Sequence, residues 1–306
     1  MHARLLDLLV CPVCLPEEHP LQLQDHRHSG DDITSGTLVC PDCGAAYAIT
    51  DGLADLVPPE KAVPTAQARY DTGRLSASYL WSHYADLWED REATDAYTRW
   101  LEMAGDWEGP GLDAGCAVGR FTFEMAAKSG FAVGVDLSRP FVTLARRIAR
   151  KKEMAFTAPR QGHLTTRFEF SLPARLQQGI AEFVRADVAR LPFRAESFGF
   201  VASLNVVDKL PRPMLHLVEA RRVCARKATV LLADPFSWSE NVARPEDWLG
   251  GTAESGDSAA VVATMLGAGP GWEADIAGSA WWTIRDHVNR YERIRSEVIV
   301  AHRSAE

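Results

Sequence analysis

Basic charge is scarce at the start of this chain. Residues 1–60 carry only Arg4 and Arg27 against ten acidic residues, so the formal net charge of -8 resides there, and residues 61–306 balance at 31 against 31. A segment of that sign does not grip nucleic acid. No apolar run approaches the roughly 18 residues a membrane span requires, and Met1-His2-Ala3-Arg4 leads into no secretory pattern. No membrane partner is therefore expected, and a cytoplasmic location is. The six cysteines lack the spacing of a disulfide framework, falling instead into two CxxC pairs plus Cys116 and Cys224. With 46% hydrophobic residues over 306 positions, the chain is expected to bury a full core and leave room for a second, small domain.

What is present is most informative at Gly111-Leu112-Asp113-Ala114-Gly115-Cys116-Ala117-Val118-Gly119-Arg120, followed by Phe131-Ala132-Val133-Gly134-Val135 and Asp136. A short buried strand, a glycine-bearing turn, a helix and a second strand with an acidic tip is how α/β folds hold a nucleoside or nucleotide. A dinucleotide fingerprint needs three glycines so that a pyrophosphate can sit on the helix N-terminus. Here Asp113, Gly115 and Gly119 form D-x-G-x-x-x-G without a third glycine, and an acid at the strand tip repels phosphate. Gly109-x-Gly111-x-x-Ala114 matches the dinucleotide pattern in letters, but a helical-looking segment precedes it where a strand should. The loop suits a cofactor with no phosphate and a positive sulfonium, S-adenosylmethionine, which leaves as S-adenosylhomocysteine. At this point the chain resembles class I methyltransferases. That resemblance implies an α/β fold, a Rossmann-like seven-stranded sheet. The expected cofactor contacts are Tyr84, Asp113, Gly115, Cys116, Gly119, Arg120, Asp136, Leu137, Asp187, Val188 and Asn205. Asp136 accepts the ribose hydroxyls in this reading, and Asp187 the adenine amino group beside the Val188 backbone.

Cys11-Pro12-Val13-Cys14 and Cys40-Pro41-Asp42-Cys43-Gly44 have the spacing of two zinc knuckles, which bring four thiolates to one tetrahedral Zn²⁺ with no vacancy for substrate. His19, His26 and His28 lie in a polar loop and are read as solvated. The stretch Ala45 to Pro58, with both knuckles, resembles the Trm112-like zinc domain, in which CxxCG, an aromatic, a small residue, Ile, any residue and Asp-Gly precede an apolar strand. In that family the domain is often a scaffold beside a methyltransferase. The expected organisation is a zinc-ribbon domain over 1–58, a linker with cofactor-lid helices over 59–108, and the methyltransferase domain over 109–306.

Pro58 to Pro64 reads as linker. Tyr79, Leu80, His83, Tyr84, Leu87 and Trp88 recur at helical spacing, a second helix runs from Tyr97 to Met103, and Tyr79 and Tyr84 are candidate lid residues. Ser138 caps the next helix, whose tail Arg146, Arg147, Arg150, Lys151 and Lys152 is read as a solvated face favoured by the helix dipole. Residues 153–181 look like an insertion over the active-site edge. Strands are expected at Phe183–Asp187, Phe198–Leu204 and Thr229–Ala233, with helices near Met214–Ala225 and Ala259–Leu266, and the last two strands of the sheet toward Val298-Ile299-Val300.

The C-terminal two thirds is similar to the 4-mercaptohistidine N1-methyltransferases of ovothiol biosynthesis. The resemblance rests on Asp113 to Glu124, Gly134 to Ser138, Leu164 to Thr166, Asn205 to Pro213, Pro235 to Trp238 with Trp248 to Gly251, and Ile284 to His287 with Arg290-Tyr291. Lys209 stands where that group has Arg, and Ala225-Arg226-Lys227 replaces a Pro-Gly-Gly turn. The resemblance implies methyl transfer to an imidazole nitrogen of a thio- or seleno-substituted histidine, a small-molecule partner and no nucleic acid. An unprotonated ring nitrogen must be held in line with the methyl carbon, so a fixed tautomer helps. Asn205, Asp208, Asp234 and His287 are candidates for the proton acceptor. Arg285 is the candidate for a substrate carboxylate, and Trp238, Trp248 and Tyr291 for the flat ring. The catalytic set is thus Asn205, Trp238, Arg285, Tyr291 and His287. Two other readings stand beside this one: an rRNA or tRNA base methyltransferase with a zinc ribbon, and a non-catalytic zinc scaffold.

Overall fold

The computed structural model describes residues 1–58, 70 and 72–304. Most of the expected linker lies outside the described residues. The strands in chain order are β1 (Gln22–Ser29), β2 (Asp32–Val39), β3 (Ala46–Thr50), β4 (Leu53–Asp55), β5 (Gly111–Ala114), β6 (Phe131–Asp136), β7 (Glu153–Gln161), β8 (Leu164–Ser171), β9 (Ile180–Arg185), β10 (Phe198–Leu204), β11 (Cys224–Asp234), β12 (Trp272–His287) and β13 (Arg290–Arg303). The α-helices are α1 (Gly73–Tyr84), α2 (Ala96–Met103), α3 (Arg120–Ser129), α4 (Arg139–Lys151), α5 (Pro213–Val223) and α6 (Ser258–Leu266).

Every residue of β5 and β6 is buried, as expected of central parallel strands covered on both faces. The sheet runs β9-β6-β5-β10-β11-β13-β12, with β13 antiparallel to both of its neighbours. These are the seven strands of the expected Rossmann-like sheet. After β5 the chain adds β6 and β9 on one side, then β10 and β11 on the other. The order therefore reverses at β5, and a crevice opens beyond its carboxyl end. The last two strands form one long hairpin, of 16 and 14 residues, rather than short terminal stretches.

The cysteine-bearing segment is not a detached module. Its β4 pairs in parallel with β9, Ala54 against Val184 and Asp55 against Arg185, so β1 to β4 extend the sheet to eleven strands. Leu5, Leu9 and Tyr47 join the same apolar core as Val184, Leu191 and Phe193. The loop after β9 is strapped to it as well: Val10 N–H donates to Pro192 O at 3.0 Å, Arg194 N–H to Leu8 O at 3.0 Å, and Arg190 to Val13 O at 2.7 Å.

Two expectations change here. The cationic tail of α4 is only partly a solvated face. Arg147, Arg150 and Lys151 are exposed, but Arg146 is buried between Glu182, at 2.5 Å, and Asp32, bracing the cysteine-bearing segment against α4 and β9. The insertion over 153–171 is a separate β7–β8 hairpin that does not border the crevice. Its Phe170 stacks on Tyr84 at 4.4 Å and its Phe168 on Trp88 at 5.6 Å, so it backs the helices that roof the crevice.

The remaining boundaries move by a few residues. β9 ends at Arg185, leaving Asp187 in the following loop, α5 stops at Val223, and β11 starts at Cys224 rather than Thr229. The helix carrying Tyr79 to Trp88 is α1 followed by a 3-10 turn, Ala85–Trp88. No helix among the described residues is long and apolar enough to cross a membrane.

Candidate functional site

β5 delivers its chain into the turn Gly115–Gly119, which leads into α3. Gly115 sits at φ +93°, and a Cβ there would come within 2.3 Å of Val206 Cγ2, so both conformation and space demand glycine. Gly115 and Cys116 donate their N–H groups to Val135 O at 2.8 and 2.9 Å, which folds the turn across the tip of β6. Asp136 completes it: one carboxylate oxygen accepts Ala117 N–H at 2.9 Å and the other accepts Ser138 N–H at 2.8 Å. Ser138 in turn caps α4.

The crevice is a partly open cleft of about 860 Å³, the space at its mouth included. Its floor is Asp113, Gly115, Cys116, Ala117, Asp136, Leu137, Asp187, Val188 and Asn205, so all of the expected cofactor residues except Tyr84, Gly119 and Arg120 come together there.

 Eight of these nine are expected cofactor residues and Ala117 is the addition. Burial pushes the Asp113 carboxyl up to about 7, against the hydrogen bond from Thr122 and with the Asp136 charge adding to the rise. Burial also raises the Cys116 thiol, which keeps it protonated and inert. Asn205 holds φ +58° at the end of β10, its N–H on Ala233 O at 2.6 Å and its side-chain oxygen accepting from the Ser296 hydroxyl.

The opposite wall is aromatic. Tyr79 and His83 come from α1, Tyr97 and Trp100 from α2, Trp282 from β12, and Phe141 closes one end. Lys209 is the one Lys or Arg among the described lining residues, and its Nζ lies 2.6 Å from the buried carboxylate of Asp208. Asp208 packs beside Asp234, whose carboxyl is pushed up by burial and by Asp208 while it accepts the N–H groups of Val207 and Phe236. Asp208 and Asp234 thus hold the loop after β10 rather than facing the cleft.

Seven expected site residues lie outside the cleft lining. Tyr84 is fully buried, with its hydroxyl on Val118 O at 2.8 Å; Tyr79, its neighbour in the expected lid, does reach the cleft. Gly119 carries φ +89° behind the turn, where a Cβ would meet the Phe183 ring at 2.7 Å. Arg120 is buried among Asp86, Glu124 and the His83 carbonyl, fastening α1 to α3. Trp238 donates its indole N–H to Ser258 at 2.9 Å and stacks on Trp248. Arg285 lies over the Phe168 ring at 5.0 Å, Tyr291 packs on Trp81 at 5.5 Å, and His287 Nδ1 accepts Asn289 N–H in the β12–β13 turn. Conversely, His83, Tyr97, Trp100, Lys209 and Trp282, none of them among the expected site residues, line the cleft. In a sequence the helical or strand spacing of the four aromatic residues reads as core packing, and only the meeting of α1, α2 and β12 brings them to a cavity; Lys209 comes from the 3-10 turn Val207–Lys209 after β10.

At the far edge of the sheet the four thiols of Cys11, Cys14, Cys40 and Cys43 lie within 4.8 Å of one another. Cys11–Cys43 and Cys14–Cys40 are each 3.7 Å apart. Four sulfurs about 2.3 Å from a tetrahedral ion would be roughly 3.8 Å apart, so the donor set fits a closed four-thiolate metal site. Cys14, His19 and Asp42 also lie within that reach, whereas His26 and His28 are exposed on β1.

Residues 112–232 match the family model described as a methyltransferase domain, and residues 2–52 match that of Trm112p-like proteins. No curated protein matches the chain. Among solved structures, the chain is similar to a SAM-dependent methyltransferase from Methanosarcina mazei, at 19% identity and a TM-score of 0.44, over 67% of this chain and 97% of that one. It is also similar to a chain from a structural study of the conversion of a disulfide bond into a thioacetal group in echinomycin biosynthesis (18% identity, TM-score 0.46, 72% and 85% covered). A third similarity is to a chain of the complex containing the Haloferax volcanii Trm112 methyltransferase activator (17% identity, TM-score 0.39, 57% and 62% covered).

Proposed function

We propose, from the premise that the chain is an S-adenosylmethionine-dependent methyltransferase, that its acceptor is a small planar heterocycle, the imidazole of a thio- or seleno-substituted histidine. The observation that carries this reading is the cleft itself: walled by aromatic rings and, among its described lining residues, holding one Lys or Arg side chain, which is already paired. A base in a polynucleotide would call for a run of basic residues at the mouth, while a flat neutral ring is matched by aromatic faces. The motifs shared with the 4-mercaptohistidine N1-methyltransferases narrow the class to an imidazole.

S-adenosylmethionine supplies an electrophilic methyl on a sulfonium. In the proposed roles Asp136 accepts from the ribose hydroxyls, Asp187 and the Val188 backbone meet the adenine, and Gly115 and Cys116 present backbone to the amino-acid end. Asn205, with its side-chain oxygen held by Ser296, borders the acceptor. Trp238, Arg285, His287 and Tyr291 act as scaffold for the β12–β13 side of the cleft. The four cysteines hold a structural Zn²⁺, and six cysteines without a disulfide suit a reducing, cytoplasmic setting.

Incubation with S-adenosylmethionine and 5-thiohistidine, its selenium analogue or bulk RNA, followed by mass spectrometry, tests the acceptor. A methylated thio- or selenohistidine is expected; methylated RNA alone overturns the assignment, and no product with any of them favours a non-catalytic scaffold.

A pH dependence follows from Asp113. Its folded pKa of about 7 lies above the ordinary carboxylate value, so between roughly pH 4 and 7 the folded state holds the extra proton and the unliganded protein loses stability as pH rises. A cationic ligand in the cleft favours the ionised form. S-adenosylmethionine affinity is therefore expected to rise with pH up to about 7 and level off above it, with proton release on binding at pH 6. Calorimetry in buffers of different ionisation enthalpy measures that release; a flat affinity with no proton released would contradict the role of Asp113.

A further inference from the structure

Among the described residues, eight buried side-chain polar atoms have no hydrogen-bond partner, and three of them belong to the aromatic wall of the cleft: His83 Nδ1, Trp100 Nε1 and Trp282 Nε1. The residues are 6, 1 and 4% exposed. Buried polar groups are almost always paired, so three orphans on one wall mark a surface that meets a polar ligand. The rings form one continuous unit: His83 lies 5.1 Å from Tyr97 and 6.0 Å from Trp282, and Tyr97 lies 5.3 Å from Trp100. The His83 carbonyl is tied to Arg120 at 2.9 Å, which fixes the helix end that presents the imidazole.

We infer that this wall is the acceptor subsite, and that His83 Nδ1 accepts a hydrogen bond from the N–H of the substrate ring, thereby selecting which ring nitrogen is methylated. The inference rests on the proposed imidazole acceptor. A neutral imidazole has one N–H and one lone pair. With its N–H held by His83, the substrate's other nitrogen carries the lone pair. That nitrogen forms the N–C bond as the C–S bond breaks with its electron pair going to sulfur, and the resulting imidazolium gives up its N–H proton to solvent after release. Burial, with the Arg120 charge adding, lowers His83 to about 3, so it stays neutral and acts as an acceptor of the hydrogen bond rather than as a cation. In the same proposal the unpaired indole N–H groups of Trp100 and Trp282 donate to an acceptor atom on that ligand, such as a ring sulfur, selenium or carboxylate oxygen.

Imidazole and 1-methylimidazole provide the test, because only the first has an N–H. Titrated by NMR into the full chain with S-adenosylhomocysteine, the wild type is expected to bind imidazole about tenfold more tightly than 1-methylimidazole. His83→Phe should abolish that preference with S-adenosylhomocysteine affinity unchanged, and His83→Asn, whose side-chain oxygen can stand near Nδ1, should keep most of it. If His83→Phe does not fold, the His83→Asn and Trp282→Phe variants carry the comparison, the latter losing affinity for 5-thiohistidine. No preference in the wild type, or an undiminished one in His83→Phe, overturns the subsite. Should the preference hold while 5-thiohistidine is not turned over, the substrate assignment fails and the subsite stands. With turnover, His83→Phe is expected to yield a mixture of ring isomers, and an unchanged single isomer also overturns the inference.

Discussion

Asp136→Ala should reduce the affinity for S-adenosylmethionine and S-adenosylhomocysteine alike, each by at least about a hundredfold. Two hydrogen bonds from ribose hydroxyls to a carboxylate are worth about 1.5–3 kcal/mol apiece, and every 1.4 kcal/mol or so is a factor of ten. The carboxylate has a second task, since it already ties Ala117 N–H and Ser138 N–H to the tip of β6. Alanine releases both the glycine turn and the start of α4, which adds to the loss. Asp136→Asn separates the tasks: its amide presents one oxygen and one NH₂, so one of the two backbone donors faces another donor. The ribose is common to cofactor and product, so the ratio of their affinities should not move. Calorimetric titration of both ligands checks this, and an affinity within tenfold of wild type would remove Asp136 from the ribose site.

Metal removal is expected to have the second large effect, and to reach the cofactor cleft. Structural zinc contributes about 10–16 kcal/mol to folding in small zinc peptides, comparable with the whole stability of a typical domain, about 5–15 kcal/mol. Chelation, or Cys40→Ser, should therefore unfold residues 1–58. Those residues continue the catalytic sheet. Asp55 pairs with Arg185 at 3.0 Å, and Arg185 holds the Leu137 carbonyl at 2.9 Å, next to Asp136. Arg190 holds Val13 and Leu15, three residues beyond Asp187. Hydrogen exchange should rise in 46–57 and 187–195 on chelation, and S-adenosylmethionine affinity should fall with it. Unchanged exchange and affinity after complete metal loss would show that the four cysteines do not support the cleft.

Different parts of the molecule were legible to different depths. β6 is legible because a fully buried parallel strand is an unbroken apolar run, and the acid that lines the cleft sits at the end of that run. The cysteine pairs could be read because a tetrahedral site constrains spacing within each knuckle. The motifs after β11 are harder to read because Trp238, Tyr291 and Arg285 suit packing as well as binding, and in the structure they contact Ser258, Trp81 and Phe168 rather than line the cleft. The hairpin over 153–171 shows the same limit: its length marks an insertion, but Tyr84 and Trp88, the partners of its Phe170 and Phe168, lie eighty or more residues earlier.

By itself, then, the sequence determined the turn between Asp113 and Gly119, the acids at Asp136 and Asp187 and the four thiols, each specified by neighbours a few residues away. Only the tertiary structure decided that α1, α2 and β12 bring His83, Trp100 and Trp282 to one wall, and that β4 docks on β9. Those contacts join segments far apart in the chain, where the residues that meet are chosen by packing and leave no periodic signal of their own.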